Sequence, residues 1–197
     1  MNVAYIFRVI FSAIFFLFQS NKDMSTNKPT TSITTHSAYV NCLASTDNDR
    51  TLITCSQDRS IKVWDLTTGQ LKHKWDNSKT DHQGSVRALC MAAPCVLASG
   101  GQDKTIRVWD LTSGRQIRTL VGHADTVSCL GKLAHGELVS GSFDKNVRIW
   151  EWQSGECVKI GQQDGAHTDY IATLITLPND MIVTGSWDKT VKRWRRV

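Results

Sequence analysis

Residues 138–151 read Leu138-Val139-Ser140-Gly141-Ser142-Phe143-Asp144-Lys145-Asn146-Val147-Arg148-Ile149-Trp150-Glu151. Leu138 to Ser142 is a short run fit for a buried strand. From Asn146 onward apolar and polar residues alternate, the period of a half-buried strand. Asp144 lies between them, where a residue that hydrogen-bonds its own backbone closes a tight turn. The stretch therefore predicts an antiparallel hairpin.

The same line recurs. Trp64, Trp109, Trp150 and Trp194 follow one another at a period of roughly 40–45 residues, which is that of a repeat architecture. An Asp precedes each Trp by six positions: Asp58, Asp103, Asp144 and Asp188. Thr54, Ser99, Ser140 and Thr184 precede those Asp residues by four. His36, His82, His123 and His167 stand 21 or 22 positions ahead of the Asp, and Val40, Val86, Val127 and Ile171 follow the His by four. Residues 36–197 show no helix period sustained over three turns. Each unit is then a small antiparallel sheet of about four strands, and such sheets pack radially into a propeller. The expected class is all-β.

With Gly122-His123, Trp64-Asp65, Trp109-Asp110 and the run at 140–144 in view, the units resemble WD (WD40) repeats across roughly residues 29–197. The departures are local. Thr35-His36, Asp81-His82 and Ala166-His167 replace Gly-His, while Trp150-Glu151 and Trp194-Arg195 replace Trp-Asp. Repeats are placed at about 36–80, 81–121, 122–164 and 165–197. In WD repeats the His, Ser/Thr, Asp and Trp form a hydrogen-bonded tetrad. The resemblance implies one per unit: His36-Thr54-Asp58-Trp64, His82-Ser99-Asp103-Trp109, His123-Ser140-Asp144-Trp150 and His167-Thr184-Asp188-Trp194. A catalytic triad is one constellation in one cleft. A His-Ser-Asp set repeated four times is structural, so no catalytic residue is assigned and the chain reads as a non-enzyme, with an enzyme that uses the propeller as a frame as the remote alternative.

The resemblance also implies a recognition surface on the end of the ring that carries the Asp turns and His loops. Its positions here are Tyr39, Asn41, Gln57, Arg87, Gln102, Ser128, Phe143, Tyr170 and Trp187. Aromatic side chains and Arg are the usual anchors of interfaces. The expected function is thus a scaffold or adaptor docking a peptide or protein partner there, in a substrate-receptor or assembly-platform role.

Cys42, Cys55, Cys90, Cys95, Cys129 and Cys157 contain no Cys-x-x-Cys pair and read as free buried thiols of a reducing compartment, which favours the cytoplasm. Neither a GxxxxGK nor a GxGxxG loop occurs, and no cofactor or metal is expected. The net charge of +5 is matched by the bases Lys189, Lys192, Arg193, Arg195 and Arg196 alone. That points to a solvated basic tail rather than a nucleic-acid footprint spread along a face.

Residues 1–23 differ in character. Positions 3–18 are almost wholly apolar, broken by Arg8 and Ser12. Three readings stand: an extension upstream of a working start at Met24, a signal-anchor that tethers the chain to a membrane, or a cleaved signal. Residues 24–28 form a polar linker. Residues 29–35 are rich in β-formers and are a candidate closing strand for the last blade. The ring is accordingly expected to be a small closed four-bladed propeller, a partial one, or one completed by self-association.

Overall fold

The computed structural model describes residues 36–46, 50–76, 81–160 and 166–195. The N-terminal segment, the linker and the candidate closing strand at 29–35 lie outside the described residues.

Four antiparallel sheets follow one another along the chain. The first contains β1 (Val40–Ser45), β2 (Thr51–Ser56), β3 (Ile61–Asp65) and β4 (Leu71–Trp75). The second contains β5 (Val86–Ala93), β6 (Val96–Gly101), β7 (Thr105–Asp110) and β8 (Arg115–Val121). The third contains β9 (Val127–Lys132), β10 (Leu138–Ser142), β11 (Val147–Glu151) and β12 (Glu156–Ile160). The fourth has three strands among the described residues, β13 (Ile171–Leu177), β14 (Met181–Ser186) and β15 (Val191–Arg195). Within each sheet the strands pair in sequence order, as short hairpin connections dictate. The opening stretch pairs as its alternation requires, with Leu138 opposite Trp150 and Gly141 opposite Val147.

The sheets are propeller blades. The inner strand β1 packs on β5, β5 on β9, and β9 on β13, and no comparable packing joins β13 back to β1 among the described residues. The described chain is therefore a partial propeller of four blades and not a closed four-bladed ring.

Three apolar clusters hold the arc together, one per blade junction. Ile53, Cys55, Ile61 and Val63 of blade one meet Val86, Leu89, Leu97 and Trp109 of blade two. Ala98, Ile106 and Val108 meet Val127, Leu138 and Trp150 at the next junction. Val139, Val147 and Ile149 meet Ile171, Leu174 and Ile182 at the last. Each blade thus turns the apolar residues of one face toward its successor and those of the other face toward its predecessor.

Candidate functional site

The site is built on the turn between the second and third strands of each blade. The residue after the Asp takes a left-handed backbone in all four copies: Arg59 (φ 72°), Lys104 (φ 68°), Lys145 (φ 71°) and Lys189 (φ 68°). This conformation folds the Asp carboxylate back over its own turn. Asp144 accepts the Asn146 N–H at 3.0 Å and the Ala124 N–H of the His loop at 2.9 Å. Asp58 accepts the N–H groups of Ser60 and Ser37 in the same way, each at 3.0 Å.

The four sets of His, Ser/Thr, Asp and Trp each come together. In blade three the Trp150 indole N–H donates to Ser140 Oγ at 2.8 Å, Ser140 Oγ lies 2.7 Å from His123 Nε2, and His123 Nδ1 lies 2.8 Å from Asp144. Blade two repeats this with Trp109 to Ser99 at 2.8 Å, Ser99 to His82 at 2.8 Å and His82 to Asp103 at 3.0 Å. Blade one uses Trp64, Thr54, His36 and Asp58 at 3.2, 2.8 and 2.9 Å. Blade four uses Trp194, Thr184, His167 and Asp188 at 2.7, 2.8 and 2.6 Å. A neutral imidazole with its proton on Nδ1 satisfies every partner: Nδ1–H donates to the carboxylate and Nε2 accepts from the hydroxyl.

Burial alone would raise Asp103 and Asp144, but the hydrogen bonds from His82 and His123 and from the loop N–H groups hold both well below the ordinary carboxylate range. Asp58 and Asp188 are likewise held low against burial, chiefly by Ser60 and Thr190. His36 is lowered because burial outweighs the attraction of Asp58.

The relay fixes the residues that flank it. The N–H of the residue before each Asp donates to the carbonyl of the residue before each inner strand's anchor. Gln57 binds Tyr39 at 2.9 Å, Gln102 binds Ser85 at 2.8 Å, Phe143 binds Thr126 at 2.9 Å and Trp187 binds Tyr170 at 3.0 Å. The paired positions stand side by side at one end of the arc, hereafter the upper face.

On blades three and four the side chains there form one aromatic cluster. Phe143 and Tyr170 stack at 4.5 Å between ring centroids with 12° between planes. Trp187 closes on both, 6.0 Å from Phe143 and 5.4 Å from Tyr170, and is 54% exposed. The Arg87 guanidinium of blade two lies 5.4 Å over the Phe143 ring. Tyr39 is 81% exposed on blade one, outside the cluster. Gln57 and Gln102 are exposed on their turns.

Asn41 and Ser128 do other work. The Asn41 amide donates to the Val86 carbonyl at 2.7 Å and to Ser85 Oγ at 3.1 Å. Ser128 Oγ donates to the Ile171 carbonyl. Both tie an inner strand to the next blade, so they stitch the junctions beneath the face.

Arg59, Lys104, Lys145 and Lys189, the residues after each Asp, are all exposed on their turns. Of these only Lys189 stood out in the sequence, as part of the C-terminal basic run. The signal was present in the column after each Asp. At the same end Asp125 and Asp169 are engaged by the backbone N–H of Thr126 and Tyr170.

All six thiols are free. Cys55 is buried and Cys42, Cys90 and Cys129 are half-buried, whereas Cys95 and Cys157 are exposed, which corrects the expectation that all are buried. Cys95 sits in a tight turn and Cys157 on an outer strand, where a blade has no neighbour to cover it. No group of three His, Cys, Asp or Glu that could hold a metal occurs among the described residues.

The family model of the WD domain, G-beta repeat, matches residues 27–65, 75–110, 114–151 and 155–195. This chain belongs to the WD40 family. WD40 propellers generally mediate protein–protein interactions and are typically non-enzymatic scaffolds. Among solved structures the chain is similar to RRP9 WD40 repeats (28% identity, TM-score 0.76, covering 82% of this chain and 49% of that one). It is similar to U3-55K (27%, TM-score 0.75, 82% and 50%) and to the computationally designed Ika4 protein (28%, TM-score 0.71, 85% and 98%). This WD40 chain spans about half the length of the first two. A comparison with curated proteins finds no match.

Proposed function

We propose that this WD40 chain is a non-enzymatic scaffold of the cytoplasm that docks a peptide or protein partner on the upper face of blades two to four, in a substrate-receptor or assembly-platform role. The observation that carries this is the cluster of Phe143, Tyr170 and Trp187 with Arg87 against it. A stacked, half-exposed aromatic group gives a large contact area at little entropic cost, the composition of an interface hot spot.

Arg87 against the rings, with exposed Lys145 and Lys189 on the turns that carry Phe143 and Trp187, favours an acidic segment. A left-handed backbone costs a lysine or arginine about 1 kcal/mol, and strain of this kind gathers at functional positions. Trp187→Ala and Arg87→Ala should each weaken a captured acidic partner about tenfold or more with the Tm within ~1 °C of the parent. Retained capture in both variants overturns the site. Displacement of the partner by a nucleic acid of unrelated sequence would assign the face to phosphate backbone instead.

A second reading concerns residues 3–18, whose apolar run is long enough to seat in a bilayer interface and would make the chain a membrane-tethered adaptor. Among the described residues no helix is long and apolar enough to cross a membrane. Cell fractionation with and without residues 1–23 decides: pelleting that depends on the segment supports the tether, and a soluble fraction in both cases removes it.

A further inference from the structure

We infer that the open faces of blades one and four are the two halves of one blade junction, and that a second copy of this chain covers them head to tail to give an eight-bladed ring. The inference is independent of the docking face and rests on repeat columns that are buried in the interior of the arc and bare at its ends. On the face each blade turns to its successor, Ile61, Ile106 and Val147 are 1%, 0% and 1% exposed, whereas Val191 in the same column of blade four is 75% exposed. Ile175 of the same blade is 55% exposed. On the face turned to the predecessor, Val86, Val127 and Ile171 are each 0% exposed, whereas Val40 of blade one is 41% exposed. Leu97, Leu138 and Ile182 are likewise buried, and their counterpart Leu52 is half-buried.

The two bare faces are thus of opposite kind, one forward and one backward, and complementary by the pattern that seats every interior junction. Two features select a second copy over closure on itself. A ring of four blades must turn ~90° at each junction and one of eight ~45°, within the range of four to eight blades that propellers use. The arc superposes on RRP9 WD40 repeats with a TM-score of 0.76 while covering 49% of that chain, so its junctions carry the turn of a propeller built from a longer chain, gentler than that of a four-bladed ring. A heterologous contact that closes after two subunits is a two-fold ring and leaves neither face exposed.

One column departs from the pattern. Arg193 stands where Val63, Val108 and Ile149 are 1%, 0% and 0% exposed. A guanidinium carried into an apolar junction costs desolvation unless its head reaches the rim. The departure weakens the joint and supplies a test of it.

The experiment is light scattering with analytical ultracentrifugation of the full chain from low to high micromolar concentration. A dimer of twice 22.0 kDa is expected. Val191→Asp and Val40→Asp should each give a monomer with unchanged circular dichroism, because both side chains are already exposed in the single chain. Mixing the two variants should restore a dimer, since the pair keeps one undamaged junction. Arg193→Val should tighten dissociation about tenfold. A monomer at every concentration overturns the inference, including one that opens only when residues 29–35 are removed. So does a dimer indifferent to Val191→Asp and Val40→Asp. If either Asp variant fails to fold, association unaltered by Arg193→Val overturns it.

Discussion

A buried imidazole needs a partner on each nitrogen, and the relay from Trp150 through Ser140 and His123 to Asp144 supplies both. Removing one member leaves the others desolvated and unpaired. Asp144→Ala and His123→Ala should therefore each cost about 1–3 kcal/mol, read as a lower denaturation midpoint in urea. An unchanged midpoint in both would show that the relay is ornamental. The same groups set the response to acid. In the fold the four relay aspartates ionise well below the ~3.9 of an unfolded aspartate, so their contribution is present above pH ~4 and is lost as pH falls through the folded values. His36 is also lowered, by burial, so the fold favours its neutral form, and that contribution begins to fade as pH drops below ~6.5. The Tm should be level from pH 8 to 7, decline gently below about 6.5 and fall steeply below about 4. A Tm that rises on acidification would refute this, and His36→Gln should flatten the gentle limb. The columns of all sixteen relay residues were legible in the sequence through their fixed spacing, and the resemblance to WD repeats supplied their pairing. The fates of Asn41 and Ser128 were not, because position relative to the anchor does not say whether a short polar side chain reaches up to solvent or across to the next blade's carbonyl.

A blade is stable only against its neighbours, and the closeness of that contact is set by small residues on the second strand. A methyl group added at Gly100 would come within 2.5 Å of Val127 Cγ1, and one at Gly141 within 2.6 Å of Cys129 Sγ and 2.7 Å of Ile171 Cγ2. At Gly185, in the same column of blade four, it would meet Thr173 Cγ2 at 3.1 Å. Gly100→Ala and Gly141→Ala should each destabilise by about 1–3 kcal/mol through overpacking, while Gly185→Ala should lie within ~1 kcal/mol of the parent. Equal losses at all three, measured by calorimetry, would mean that the column is limited by its own strand and not by the junction. Strand existence and order followed from alternation and turn chemistry, which are local. The stacking of Phe143, Tyr170 and Trp187 joins residues of two blades, and the resemblance to WD repeats placed them on one face without fixing the rings against one another.

Over the whole arc, stability is a sum of junction terms, as in any repeat architecture, and the end blades have one junction where the middle blades have two. Opening should therefore begin at the ends. In the dilute single chain, amides of β1 and of β13 to β15 should exchange with solvent at least tenfold faster than those of β6 and β10, whose neighbours Ile106, Leu138 and Ile149 are fully buried. A second copy seated on the bare faces would supply the missing junctions, and by mass action the added protection grows with protein concentration. Hydrogen exchange measured across a concentration series should then show the end blades slowing toward the middle ones while β6 and β10 change little. Uniform slowing of all four blades would instead mark a contact that stabilises the arc as one cooperative unit. End blades that stay fast at every concentration would mean that their faces remain uncovered by this chain.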